Sequence, residues 1–238
     1  MKAGTLIFIL LLWHSISIAQ YMTFYPEKTI KKRHQVSFAS ASDGIMLSSA
    51  YRQSPAIISG LTYLRASLFF NIVSLNYDFD KVGLFSQIDL NNIGYIFKTK
   101  DSTLKARAYT ISVPIGIKLG NVKKHGNYLM TGGGTDFPFN YKEKNYHSSR
   151  YNKQKFNEWF SDRNPTILPF VYIGCQFQNG ISIKAQYYFT DFYNTTFNVN
   201  NITPSQPYSH EMINIAAVLL GYNIDYAKLN KKDPEDDF

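Results

Sequence analysis

The sequence predicts an all-β fold: a closed antiparallel transmembrane β-barrel of about eight strands with short periplasmic turns and long outer loops. Three observations carry this. In Ala108–Leu119, Tyr109, Ile111, Val113, Ile115, Ile117 and Leu119 alternate with Ala108, Thr110, Ser112, Pro114, Gly116 and Lys118. A strand built so has one apolar and one mixed face. At about 3.3 Å per residue it is roughly 40 Å long, or about 30 Å high when tilted by about 40°, the thickness of a bilayer's hydrocarbon core. The second observation is that short and long connections alternate along the chain, as in outer-membrane barrels. The third is an export signal with no later apolar segment long enough for a helical span.

The export signal is residues 1–19: Lys2, the apolar run Leu6–Trp13, and the small-x-small site Ser17-Ile18-Ala19 before Gln20. No cysteine follows the site, which excludes a bacterial lipoprotein anchor. Residues 20–33 read as a basic periplasmic leader and residues 34–226 as the barrel. Residues 227–238 read as a charged periplasmic tail.

The first strand is His34–Ser42, with a continuation past Gly44 towards Ser49, before a loop over Tyr51–Ser59. Leu61–Phe79 is the second. Its apolar phase moves after Ser74, as at a β-bulge. Asp80-Lys81 is a tight turn, Val82–Phe97 the third strand and Lys98–Arg107 a polar loop. Ala108–Leu119 is the fourth, and Asn121–Gly126 a turn. Asn127–Phe137 is the fifth strand, where Gly132-Gly133-Gly134 suits a bend or a close backbone approach. No Gly-Lys-Ser/Thr follows that triplet to make a phosphate-binding loop. Pro138–Pro165 is a long polar insertion and Ile167–Gln178 the sixth strand. Asn179-Gly180 signals a type I′ hairpin turn. Ile181–Phe192 is the seventh strand, Tyr193–Ser209 a polar loop and Glu211–Tyr226 the eighth strand. Pro114 cannot donate to a ladder and is expected at a bulge.

In hydrocarbon every unpaired backbone amide costs several kcal/mol, so only a sheet without edges survives. A barrel of about eight strands is narrow enough to be filled by its own side chains. Inward Arg65, Asp89, Lys118, Lys184 and Gln186 are the expected polar lumen network, and a narrow polar path is the alternative use of the same residues. Tyr77, Phe79, Tyr95, Phe97, Tyr109, Tyr187, Phe189, Tyr222 and Tyr226 lie near strand ends, where interfacial girdles belong.

Composition narrows the function classes. The chain has 18 Tyr, 18 Phe and only 18% charged residues, which excludes wholesale disorder. Its net charge of +8 is scattered or gathered in loops. No nucleic-acid-binding module accompanies it, so no nucleic-acid partner is expected; the charge suits anionic lipid head groups. A single cysteine, Cys175, permits no internal disulfide. The five histidines show no metal-ligand spacing, and no cofactor is expected.

Ser67–Lys98, SLFFNIVSLNYDFDKVGLFSQIDLNNIGYIFK, resembles the second hairpin of the small outer-membrane β-barrel proteins of Bacteroidota, the PorT-like porin-family barrels. Ala108–Gly120 resembles their next strand, which has a Tyr-x-x-Ile/Leu-Pro segment. Gly221–Tyr226, GYNIDY, is similar to the signal read by the barrel-insertion machinery, with Gly221, Ile224 and Tyr226 at its key positions. The resemblance implies an outer-membrane setting, contact with outer-membrane lipid and a link to protein secretion. In that bacterial setting the glycan acceptor patterns at Asn194 and Asn201 are coincidental.

The functional expectation is a non-enzymatic envelope structural, assembly or secretion-accessory barrel. Two alternatives are an outer-membrane hydrolase with rim groups drawn from Asp136, His147, Asp162, Asp191 and His210, and a soluble lipocalin-like barrel with its apolar faces turned inward. No Gly-x-Ser-x-Gly supports the hydrolase. The expected partner-contact loop is Tyr141–Asn164, with Tyr146, Arg150, Tyr151, Trp159 and Phe160 as its contact residues.

Overall fold

The computed structural model describes residues 35–39, 43–53, 60–79, 81–98, 102–122, 126–147, 153–194, 197 and 212–222. Its strands are β1 Gln35–Ala39, β2 Asp43–Gln53, β3 Gly60–Leu61, β4 Arg65–Asp78, β5 Val82–Lys98 and β6 Ser102–Gly120. They continue with β7 Tyr128–His147, β8 Lys153–Trp159, β9 Leu168–Gln176, β10 Ile181–Tyr188 and β11 Met212–Tyr222. Neighbours are antiparallel in the order β4-β5-β6-β7-β9-β10-β11-β2, and β2 pairs back onto β4. The result is a closed barrel of eight staves. β1 carries the first stave on past Gly44, pairing Gln35–Ala39 with Asp78–Ser74.

The outer face is apolar in the phase the sequence predicts. Ile115 is 61% exposed and Ile173 64%, with Leu68, Leu84, Leu129 and Leu220 exposed beside them. Along β6 this face runs from Tyr109 to Leu119, about 33 Å of strand and roughly 25 Å of height at a tilt of about 40°. Lys118 and Lys184 sit on the inward side. These faces contradict the lipocalin-like alternative, which needs the reverse.

Several local expectations are corrected. The bulge in β4 falls between Asn71 and Val73 rather than after Ser74. Phe69 and Asn71 face in and Leu68 and Phe70 face out, and Ile72 is the extra residue that returns Leu75 and Tyr77 to the outer face. Pro114 is not at a bulge: β6 and β7 pair through it in register, Pro114 with Gly134. Its missing donor shows on the other side, where β5–β6 pairing skips from Ser86↔Ile115 to Asp89↔Ser112 without a register shift. The bulge in this hairpin is higher, at Phe139, between Tyr109↔Asn140 and Thr110↔Pro138.

At Asn179-Gly180 the turn is not type I′. Gly180 N–H donates to Phe177 O (3.0 Å), Phe177 N–H donates to Ile181 O (2.8 Å), and only Gly180 has a positive φ (90°). A three-residue loop ending in a left-handed glycine is the other common hairpin solution.

Two expected loops are strands. β6 begins at Ser102, so most of Lys98–Arg107 extends the β5–β6 hairpin. The Pro138–Pro165 insertion is β7 running on to His147 and β8 returning against it, Tyr146↔Lys153 to Asn140↔Trp159. The outer connections are long because the strands are long. The turns around Lys81, Asn121 and Gly180 lie at the end where β1 begins and β11 ends, as the even count requires.

Candidate functional site

A barrel this narrow is decided by what its inward side chains do. Around mid-height Asp136, with no exposed surface, accepts from Thr110 Oγ1 (2.8 Å) and Tyr188 Oη (2.7 Å). Gln186 Nε2 donates to Tyr188 Oη (2.8 Å). Asn71 Nδ2 donates to Asp89. The rings of Phe170, Tyr172, Tyr188 and Phe85 pack beside this chain of bonds, with Phe170 and Tyr188 centroids 5.5 Å apart. Room for them comes from the glycines opposite: a Cβ on Gly116 or Gly132 would lie 2.1 or 2.7 Å from Tyr172 Oη. That is the close approach expected of the triplet, and it accounts for Gly132 and Gly134, which face inward.

Towards the end with the short turns Lys118 Nζ donates to Asn76 Oδ1 (2.6 Å) and lies 3.5 Å from Asp78 Oδ1. Lys184 Nζ sits 5.2 Å from the Tyr172 ring centroid. Towards the outer end Arg65 donates to Asn92 O (2.8 Å) and Asn92 Oδ1 (2.6 Å). Here β4 leaves β5 above Phe70↔Leu90, and the chain just before β4 touches β5 again through the isolated bridge Tyr63↔Ile96. Arg65 and Ser48, whose Oγ donates to Gly94 O (2.6 Å), satisfy the carbonyls of β5 in the gap. The five expected lumen residues all face in. They do not form one network, because they are spread over the barrel's height and each has its own partners.

The mouth opposite the short turns is closed by Phe192, expected to end the seventh strand, and Tyr193, expected to begin a loop. β10 stops at Tyr188, and Phe192 and Tyr193 turn into the lumen, each 1% exposed. Phe192 packs on Tyr95 (5.8 Å) and Tyr193 (5.1 Å). Tyr95 Oη donates to Tyr193 Oη at 3.0 Å, and Tyr141 Oη lies 3.4 Å from it. Asn164 Nδ2 donates to Phe192 O (2.6 Å), and Ile213 N–H donates to Asp191 Oδ1 (3.0 Å), which pins the turn. Burial raises the Asp191 pKa against the lowering effect of that N–H. Tyr95 is therefore a lumen residue rather than a girdle residue, and Phe97 packs against the same inner cluster. Tyr77, Phe177 and Tyr222 are exposed towards one end, and Tyr187, Phe189, Trp159 and Phe160 towards the other. Tyr226 lies outside the described residues.

Among the described residues the rim groups do not assemble. Asp136 is inside the barrel, not at its rim. Asp162 offers its backbone carbonyl to Asn194, and Asp191 binds a backbone amide. His147 ends β7, and His210 lies outside the described residues. Among the described residues no group of three His, Cys, Asp or Glu could hold a metal ion.

Of the contact loop, Arg150 and Tyr151 lie outside the described residues. Tyr146 lies under Lys105 Nζ (5.6 Å). Trp159 is 58% exposed and stacks on Phe139 (5.9 Å), and Phe160 is 80% exposed with a φ of 51°. Of the insertion signal, Gly221 pairs with Gly44 and Ser182 in the closing strands, whereas Ile224 and Tyr226 lie outside the described residues.

Sequence reasoning missed Asp136–Tyr188–Thr110 as a unit, and the inward turn of Phe192 and Tyr193. The first was partly visible, since Tyr188 and Thr110 share the inward phase with Gln186 and Ser112. The second has no periodic signal.

No family model matches the chain, and no curated protein matches it. Neither comparison supports the expected likeness to PorT-like barrels. Among solved structures it is similar to Ail, the attachment invasion locus protein of Yersinia pestis, with 10% identity and a TM-score of 0.38 over 78% of this chain and 99% of that one. It is also similar to Neisserial surface protein A, with 9% identity and a TM-score of 0.39 over 80% and 99%. For CarO of Acinetobacter baumannii the values are 8%, 0.33, 78% and 98%. At these values nothing about activity, ligand or partner passes to this chain.

Proposed function

We propose that this chain is a non-enzymatic outer-membrane β-barrel that serves as an envelope structural, assembly or secretion-accessory component. One observation carries the reading: a continuous apolar exterior of bilayer height surrounds an interior filled with its own aromatic and hydrogen-bonded side chains. In water that exterior would be a liability far larger than the apolar patches monomers ordinarily expose. In a bilayer it matches the solvent, and closure leaves no unpaired edge. The filled lumen favours a structural or docking role over conduction. The secretion-accessory part draws on the PorT-like segments, and insertion by the barrel-assembly machinery draws on Gly221, Ile224 and Tyr226.

Expression of the whole precursor in a Gram-negative host tests this. The expected product begins at Gln20, fractionates with the outer membrane, needs detergent for release, and migrates differently on gels before and after boiling. A mature chain that stays compact and soluble without detergent would sink the reading.

A further inference from the structure

The outer ends of β5, β6, β7 and β8 form a small sheet above the apolar belt, and its outward face has an unusual composition. Reading up β6 from the belt, the outward residues are Ile111, Tyr109, Arg107 and Lys105. The register sets like charges directly opposite one another. Lys105 pairs with Lys144, which pairs with Lys155, and Arg107 pairs with Lys142 in the adjacent row. Lys98 ends β5 in the row beyond Lys105, over the Tyr63 ring at 4.7 Å. Opposed like charges on a sheet destabilise it. Among the described residues no carboxylate on this face answers them: Glu143 and Glu158 belong to the opposite face, Glu143 bonded to Tyr141 and Glu158 3.6 Å from Arg163. Immediately below the cations lie Tyr109, Phe139 and Trp159, with Lys142 and Arg107 over the Tyr109 ring at 4.9 and 5.7 Å.

We propose that this face binds the phosphate groups of an anionic glycolipid in the outer leaflet, and that the phosphates relieve the opposed charges. The inference rests on the outer-membrane reading above. Depth selects the ligand. Successive outward residues are about 7 Å apart along a strand, so the two cation rows stand within one or two steps of the aromatic level, where a bilayer's head groups begin. A soluble polyanion would meet the same charges but has no use for the apolar and aromatic wall that continues beneath them. A phosphorylated lipid occupies both, its acyl chains along Ile111, Ile88 and Phe137 and its phosphates between Lys105, Lys144, Arg107 and Lys142.

The test uses the full mature chain in detergent, with bis-phosphorylated lipid A and its dephosphorylated form as probes and native mass spectrometry as the readout. The expected result is at least tenfold tighter binding of the phosphorylated lipid. That preference should vanish in Lys105→Gln/Lys144→Gln/Lys155→Gln and in Arg107→Gln/Lys142→Gln, while Lys81→Gln, at the other end of the barrel, keeps it. Heat-dependent gel migration shows that each variant is folded. Equal binding of the two lipids by the wild-type chain would overturn the proposal, as would an undiminished preference in both folded multiple variants. Capture of heparin from solution without a preference for phosphorylated lipid would also overturn it. A barrel that inserts into bilayers but ignores lipid phosphate refutes this proposal alone, whereas a chain soluble without detergent refutes the membrane reading as well.

Discussion

Tyr188 Oη donates to Asp136 Oδ2 across 2.7 Å, between two staves separated in the sheet by β9. The bond passes over β9 on the lumen side and ties the side chains of β7 and β10, which share no backbone pairing.

Tyr188→Phe removes that donor and leaves Asp136 Oδ2 accepting from Thr110 Oγ1 at 2.8 Å. A buried acceptor deprived of a partner costs about 1–3 kcal/mol. The expected outcome is a drop of that size in urea stability in lipid micelles, followed by the boiled and unboiled gel species.

Gly132→Ala places a methyl group 2.1 Å from Ile115 O, a backbone atom that cannot step aside, and 2.7 Å from Tyr172 Oη. Gly133, one residue on, points to the outer face, and a Cβ there meets nothing nearer than Phe170 O at 3.1 Å. Gly132→Ala should lower stability by about 1–3 kcal/mol, the usual cost of overpacking, and Gly133→Ala by clearly less. Equal losses in the same urea assay would contradict the inward–outward assignment.

Ile115, 61% exposed and near the middle of the apolar span of β6, should lie close to the bilayer midplane. Ile115→Arg is expected to cost about 2–4 kcal/mol in phospholipid vesicles, and Tyr109→Arg, near the interface, roughly 0–1 kcal/mol. No difference between the two would argue against a membrane centred on this belt.

Burial raises the Asp191 pKa above its unfolded value. The folded state then holds the proton over a pH range in which the unfolded state has released it. Stability is therefore greatest below the unfolded carboxylate pKa and falls as pH rises through the window up to the folded one. Asp191→Asn keeps an acceptor for Ile213 N–H and removes the titration. Urea midpoints measured across that acidic window should decline with pH in the wild-type chain and decline less in the variant.

The staves were legible because a period of two with one face in lipid leaves a strong trace: Tyr109–Leu119, Ile181–Tyr187 and Leu64–Ile72 state their outward faces openly. Strand ends were not. Above the belt both faces of β5, β6 and β7 meet water or protein, so Lys105, Lys142 and Lys144 look like loop residues although they extend the ladder. The β7 bulge adds to this, because Phe139 flips the phase and makes one long strand look like a short strand and an insertion. The lumen was legible residue by residue but not as pairings, since Asp136 and Tyr188 are 52 residues apart and only closure brings them together. The inward turn at Phe192 and Tyr193 depends on Asn164 and Asp191 anchoring a short segment, which no local pattern announces.

Among the described residues, Phe192 and Tyr193 stopper the bore, and tyrosines and glycine-nested rings occupy its middle. That leaves the rind as the main surface other molecules can meet: the greasy waist, the aromatic collar and the lysine-studded brim.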